Sequence, residues 1–360
     1  MELESEKKTL LIEKEYGKRN TAIDFLRLVF AVVILLYHSS HLYETNNKPV
    51  FQGGYLAVEF FFILSGAFMA KAALAGGGGI GNDTYFFMKK KISAIFPVYC
   101  TAFCVAFLAE EFLMKAPLKK FISNAVNSLW PFLLGEMSGV DGPGFSLTGA
   151  WYISAMLIAM LILYPLLRWN FELTSYVLAP LCILAIYGNI YQSTGHLSIV
   201  RTYTGIFYAG VFRAVAGLFL GVITFCIACN LQKRSFSVKK KLLFTAAELA
   251  GYNIVLWGMY VRTRSGLDFS LVIILAGTIA LTLSRKTYSG KVTNKRVSRI
   301  CAGFSFTLYL IHPTVYIWIA RFPFVGERAR LLVYLAVSIA MAAILYLLNY
   351  CAIPYIKKRR

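Results

Sequence analysis

This chain is poor in charge for its length. Only 15% of its 360 residues are Asp, Glu, Lys or Arg and 58% are apolar, whereas soluble domains average about 25% charged and roughly 45–50% apolar. A water-soluble globule is therefore excluded. The glycine run Gly76 to Gly79, with Gly81, lacks a following Gly-Lys-Ser/Thr; this excludes a P-loop and leaves a flexible turn. Cys226 and Cys229 form a CxxC inside an apolar run, with no second pair and no nearby histidine, so no zinc or redox chemistry is assigned and no metal site is expected. No internal repeat is visible, and none of these residues is expected to form a soluble catalytic domain. Any chemistry is expected to lie in the apolar part itself.

What is present is a succession of apolar runs, each of roughly 16–25 residues, the length a helix needs to cross about 30 Å of hydrocarbon. They predict an all-α polytopic membrane protein of about ten spans, at 22–43, 54–75, 92–109, 150–167, 176–191, 204–229, 242–260, 267–283, 300–320 and 331–353. The organisation expected is a tail over 1–21, one transmembrane domain over 22–353 and a basic tail over 354–360. The first run has no small-x-small cleavage site and is expected to be retained. All seven cysteines fall within predicted spans, which predicts packed thiols rather than disulfides. A stretch from Phe121 to Gly135 is too short to span and is expected at the interface or re-entering.

The net charge of +20 sits in short connections, not on one patterned face, so a membrane rather than a nucleic acid explains it. Lys89 to Lys91, Lys233 to Lys241, Arg285 to Arg299 and Lys357 to Arg360 all fall on one side. The positive-inside rule then predicts both termini in the cytoplasm.

Ionisable groups within hydrocarbon are costly, and each is a candidate for function. Asp24 and Arg27 stand three residues apart and can pair on one turn. Arg27 and His38 stand eleven apart, almost three turns, so they share a face with about 16 Å between Cα atoms. Arg27 is then near the cytoplasmic boundary, suited to phosphates, and His38 in the outer third, suited to proton transfer. Glu59, in the second predicted span, is expected at the depth of His38, where it could fix that ring's tautomer. Arg213, expected mid-span, Glu248 and His312 complete the set; His312 precedes Pro313, where a helix frees a carbonyl. Trp151 fits an aromatic belt or a substrate-stacking position, and Ser65-Gly66 fits close helix packing.

Arg19-Asn-Thr-Ala-Ile-Asp24-Phe-Leu-Arg27, followed by His38, resembles the opening signature of the acyltransferase 3 family of membrane O-acyltransferases. Gly54 to Gly66, containing Glu59-Phe-Phe-Phe-Ile-Leu-Ser65-Gly66, is similar to its second-span motif, with Ala57 and Ala67 as departures. Phe86 to Tyr99, Trp151 to Pro165 and the Ser-x-x-x-Tyr-Leu-x-His segment Ser305 to His312 resemble later family segments, although Met156 stands where many members carry Glu.

The resemblance implies transfer of an acyl group, most often acetyl, from cytoplasmic acyl-CoA to a hydroxyl of a cell-envelope or exported glycan, in a bacterial plasma membrane. It implies that Arg27 positions the donor and His38 takes part in transfer. With this, the expected mechanism has His38, oriented by Glu59, acting on the acceptor, and Arg27 with Lys89, Lys90 and Lys91 holding the CoA phosphates. Acyl-CoA is a co-substrate, not a resident cofactor; the other partners expected are membrane lipid, the glycan acceptor and a separate extracytoplasmic protein. Two other readings are a non-catalytic polysaccharide exporter and an uptake module like the membrane half of serine racemases.

Overall fold

The computed structural model describes residues 19–39, 42, 50–140, 144–261, 264–291, 294–323 and 326–352. His41, the tail to residue 18 and the basic tail from 353 lie outside these residues, and with them the sidedness of both termini. Ten helical segments are long and apolar enough to cross a membrane: α1 (Thr21–Ser39), α2 (Gly54–Ala75), α3 (Ile80–Leu113), α4 (Thr148–Trp169), α5 (Phe171–Thr194), α6 (Ala209–Gln232), α7 (Val238–Val261), α8 (Leu267–Ser284), α9 (Lys295–Ala320) and α10 (Glu327–Cys351). No β-strand occurs among the described residues. Helices are the expected solution, because each satisfies its own backbone polar groups inside hydrocarbon.

All ten predicted spans are present, with shifted ends. The largest shift is in α3, which begins at Ile80 instead of 92 and runs through Lys89 to Lys91 and Pro97. Charges end an apolar run but not a helix, and a lysine-bearing turn continues into water at little cost. Conversely α6 starts at Ala209 rather than 204, because Ser198 to Tyr208 forms an irregular connection closed by a single bridge between Tyr203 and Tyr208. Arg213 is therefore in the second turn of α6, not in mid-span.

The segment between α3 and α4 holds the short helix Leu118–Asn127 and one further turn, Leu129–Phe132. It folds back on α3: Phe107 meets Phe121, Phe103 meets Phe132, and the Tyr99 hydroxyl donates to the Pro131 carbonyl at 2.6 Å. The glycine turn between α2 and α3 is pinned by Arg168, which donates to the carbonyls of Ala73 and Gly78 and pairs with Asp83 at 2.6 Å. None of the seven cysteines forms a disulfide.

Among the described residues, α2 and α6 make a very close backbone contact. A Cβ on Gly66 would lie 2.0 Å from the Leu218 carbonyl oxygen, and one on Gly221 would lie 2.1 Å from that of Ile63. Only glycine lets two backbones approach this closely, and Gly217 and Gly221 supply the Gly-x-x-x-Gly spacing that membrane helices use for it. This approach fixes which polar residues of the two helices meet.

Candidate functional site

One and two turns up from that glycine contact, α2 presents Glu59 and α6 presents Arg213. Both are fully buried, and Glu59 Oε1 accepts from Arg213 Nε at 3.0 Å and Nη2 at 2.8 Å. Tyr187 of α5 donates to Oε2 at 3.4 Å, and Arg213 Nη1 reaches the Ile199 carbonyl at 3.2 Å. The guanidinium carbon sits 5.4 Å from the centre of the Trp151 ring. Glu59 thus serves Arg213, not His38. Sequence depth placed Glu59 and His38 at one level, but the glycine packing turns the carboxylate toward α6.

His38 has another imidazole as its neighbour. His312 Nε2 of α9 lies 3.4 Å from His38 Nδ1, with ring centres 5.0 Å apart. Each Nδ1 also faces a carbonyl of its own helix at 3.0 Å, Ile34 for His38 and Leu308 for His312. A carbonyl can only accept, so each Nδ1 carries a proton, and in the neutral rings each Nε2 carries the lone pair. His38 Nδ1–H is then shared between Ile34 and His312, and His38 Nε2 is its basic nitrogen.

At the far end of α1, Asp24 accepts from Arg19, from Ser298 of α9 at 2.6 Å and from Arg27 at 3.5 Å. The expected Asp24–Arg27 pair is present and is tied to α9 as well.

Two cavities border members of these groups. The first, about 560 Å³, opens beside the basic end of the bundle, where Arg19, Arg27, Lys91 and Arg299 line it. Deeper in, its walls are Ser65, Met156 and the rings of Phe61, Tyr152 and Tyr309. The second, about 360 Å³, lies at the other end and is lined by His38, His312, Trp151, Arg201, Arg213 and Tyr309, among others. Tyr309 is a wall of both. Its hydroxyl donates to the Gly149 carbonyl at 2.8 Å, and its ring packs 6.2 Å from Phe61, 5.7 Å from Tyr152 and 6.0 Å from His312.

Of the predicted basic triplet only Lys91 reaches the first cavity. Lys89 lies 5.6 Å from the Tyr85 ring and Lys90 is exposed, since successive helical residues point about 100° apart. Trp151 faces the second cavity and is not confined to a lipid-facing belt. Ser65, expected only to pack, has its hydroxyl 3.3 Å from that of Tyr152. Glu248 bonds Thr282 and Ser289 and lines neither cavity. Arg299 and Tyr309 went unassigned from sequence; Tyr309 was nonetheless within reach, one turn before His312 in the Ser305 to His312 segment.

No curated protein and no solved structure matches the chain. Its sequence matches the acyltransferase 3 profile, described as an acyltransferase domain, over residues 20–350, which is nearly its whole length and spans every helix described above. With Arg27, His38, Glu59 and His312 each engaged as described, the chain belongs to the acyltransferase 3 family and is a multi-pass membrane acyltransferase.

Proposed function

We propose that the protein transfers an acyl group, most simply acetyl, from acyl-CoA bound at the basic end of the bundle to a hydroxyl of a cell-envelope or exported glycan presented at the other end. The supporting observation is that one helix, α1, carries Arg27 into the first cavity and His38 into the second, and that the two cavities share Tyr309. Arg19, Arg27, Lys91 and Arg299 suit the CoA diphosphate. The aromatic interior suits the less polar pantetheine arm and thioester.

In the reaction, His38 Nε2 takes the proton of the acceptor hydroxyl as its oxygen attacks the thioester carbonyl carbon. His312 Nε2 accepts a hydrogen bond from His38 Nδ1–H, which holds the ring and supports the imidazolium. The C–O ester bond forms and the C–S bond breaks. The departing thiolate takes the proton from His38, giving ester and free CoA. Arg213, held by Glu59 beside Trp151, contributes fixed positive charge to the wall facing the developing oxyanion. Glu59 is a positioning residue for Arg213.

The test is mass spectrometry of envelope glycans from a deletion strain complemented with wild type or His38→Ala. Loss of one ester mass on deletion, restored by wild type and not by an inserted His38→Ala protein, is expected. Unchanged esters in the deletion strain would remove the proposal. Glycan export that stops on deletion would instead favour an exporter.

A further inference from the structure

The last turn of α3 lies at the same end of the bundle as the His38 and His312 pair. There Glu110 accepts from Arg321, just beyond α9, at 2.7 and 2.8 Å, and from Trp318 Nε1 at 3.2 Å. The chain then turns back as the helix Leu118–Asn127, and two contacts fix the rotation of that helix. Asn124 donates to Glu111 at 2.8 Å, and Phe121 packs against Phe107. With those residues toward α3, the 100° step of a helix sends Leu118, Ile122 and Val126 outward, and all three are exposed. Leu129 and Leu133 continue this apolar surface beyond the helix, and Leu108 and Phe112 continue it on α3. A cleft of about 230 Å³ lies in the seam, walled by Phe103, Phe107, Leu108, Leu129 and Phe132, among others.

Lys115, Lys119 and Lys120 flank this surface. All three are exposed, and none forms an ion pair among the described residues. The carboxylates of this corner are engaged elsewhere, Glu110 with Arg321 and Glu111 with Asn124. Lys119 and Lys120 share the polar arc of the helix with Ser123 and Asn127. An apolar face on one side and lysines on the other is the pattern of a helix lying along a membrane surface, with acyl chains beneath it and headgroups around its ammonium groups. The positive-inside rule gives no reason for three lysines at this end; an anionic headgroup does.

We infer that the helix Leu118–Asn127 is an interfacial helix that binds anionic phospholipid in the leaflet on the His38 side. Its apolar face sits among acyl chains, one of which enters the seam beside Phe107, and Lys115, Lys119 and Lys120 hold the phosphates. The contact reaches the acceptor end through the backbone. Ser128 Oγ, just after the helix, accepts from the Phe145 amide at 2.8 Å, and Phe145 shortly precedes Thr148, which lines the second cavity. Lipid that holds the helix therefore also steadies a wall of that cavity.

Ile122→Trp places a fluorescent reporter at the centre of the exposed face. The full chain is put into phosphatidylcholine nanodiscs containing an equal mole fraction of either brominated phosphatidylglycerol or brominated phosphatidylcholine, and quenching is measured. Subtracting the signal of the same chain with Ile122 isolates the reporter. Both lipids are expected to quench it, with phosphatidylglycerol preferred by roughly fivefold per lysine engaged. That preference is expected to fall as salt shortens the Debye length from about 10 Å to about 3 Å. Adding Lys119→Gln and Lys120→Gln is expected to bring the two lipids close to parity while quenching by both persists, which also shows that the helix still lies in the membrane. Equal quenching by the two lipids with both lysines present overturns the inference, and so does a preference that survives their replacement. A reporter that neither lipid quenches overturns it as well, because the apolar face would then be covered by something other than lipid.

Discussion

His38 and His312 come from helices at opposite ends of the sequence and meet at 3.4 Å through Nδ1 and Nε2. Each ring is held by a carbonyl of its own helix, so the pair has a direction: His312 receives and His38 gives. His38 Nε2 is then the group placed to act on an acceptor in the second cavity.

That direction separates two substitutions. His38→Ala is expected to lower acyl transfer by about 10²–10⁴-fold, the usual contribution of a general base. His312→Ala leaves His38 in place and is expected to cost less, about tenfold, in kcat, with donor KM unchanged, because His312 acts through His38 and not on the donor. Rates in membranes matched for inserted protein decide the matter. Equal losses for the two variants would mean that the imidazoles act as one unit.

The buried ion pair is a matter of stability before it is one of chemistry. Glu59→Gln or Arg213→Met leaves one member of the pair buried without its partner, which typically costs about 3–5 kcal/mol. The double variant removes both charges and is expected to recover most of that loss. Thermal unfolding of the four proteins in one detergent provides the cycle. Losses that simply add would show that the two residues are not coupled.

Glycine at the α2–α6 contact carries a second expectation. Gly66→Ala sets a methyl 2.0 Å from the Leu218 carbonyl oxygen, so the helices must separate and the Glu59–Arg213 bonds lengthen with them. Overpacking of this kind typically costs about 1–3 kcal/mol. Gly77→Ala, where an added Cβ meets nothing within 4 Å, is the control expected to leave melting temperature unchanged. Equal melting behaviour of the two variants would contradict the close approach.

Much of this was legible in the residues. The ten spans follow from run length, because hydrocarbon thickness sets a minimum for each helix. Arg27 and His38 follow from their spacing on α1. The start of α3 did not, since Lys89 to Lys91 read as a boundary although the helix runs through them. The partner of Glu59 did not either. Depth along a helix is written in sequence, but which helix lies opposite is decided by packing, here by Gly66, Gly217 and Gly221. The contact of His38 with His312 is likewise a tertiary fact, and only the one-turn spacing of Tyr309 and His312 hinted at a shared site.

Lysine 91 gives a test of which cavity holds the donor. It lines the first cavity, whereas Lys89 and Lys90 do not. Lys91→Ala is expected to raise the acyl-CoA KM about tenfold through loss of one charge-assisted contact, and Lys89→Ala and Lys90→Ala are expected to have little effect. Steady-state kinetics across acyl-CoA concentration checks this. A uniform effect of all three substitutions would point to general surface electrostatics instead of a defined contact.

Tyr309 stands between the two cavities, so its ring must shift for a thioester in the first to meet a hydroxyl in the second. Its hydroxyl is anchored to the Gly149 carbonyl, and Phe61 and Tyr152 close the space around it. Tyr309→Phe keeps the ring and removes the anchor, so transfer is expected to continue with a modest change in rate. Tyr309→Ala removes the partition. Water from the second cavity can then reach the thioester, and acyl-CoA is expected to be hydrolysed to carboxylate and CoA when no acceptor is present, at a rate several-fold above wild type. The measurement is release of CoA thiol by purified protein without glycan, compared with transfer when glycan is supplied. A Tyr309→Ala protein that transfers normally and hydrolyses no faster than wild type would show that the ring does not separate donor from acceptor.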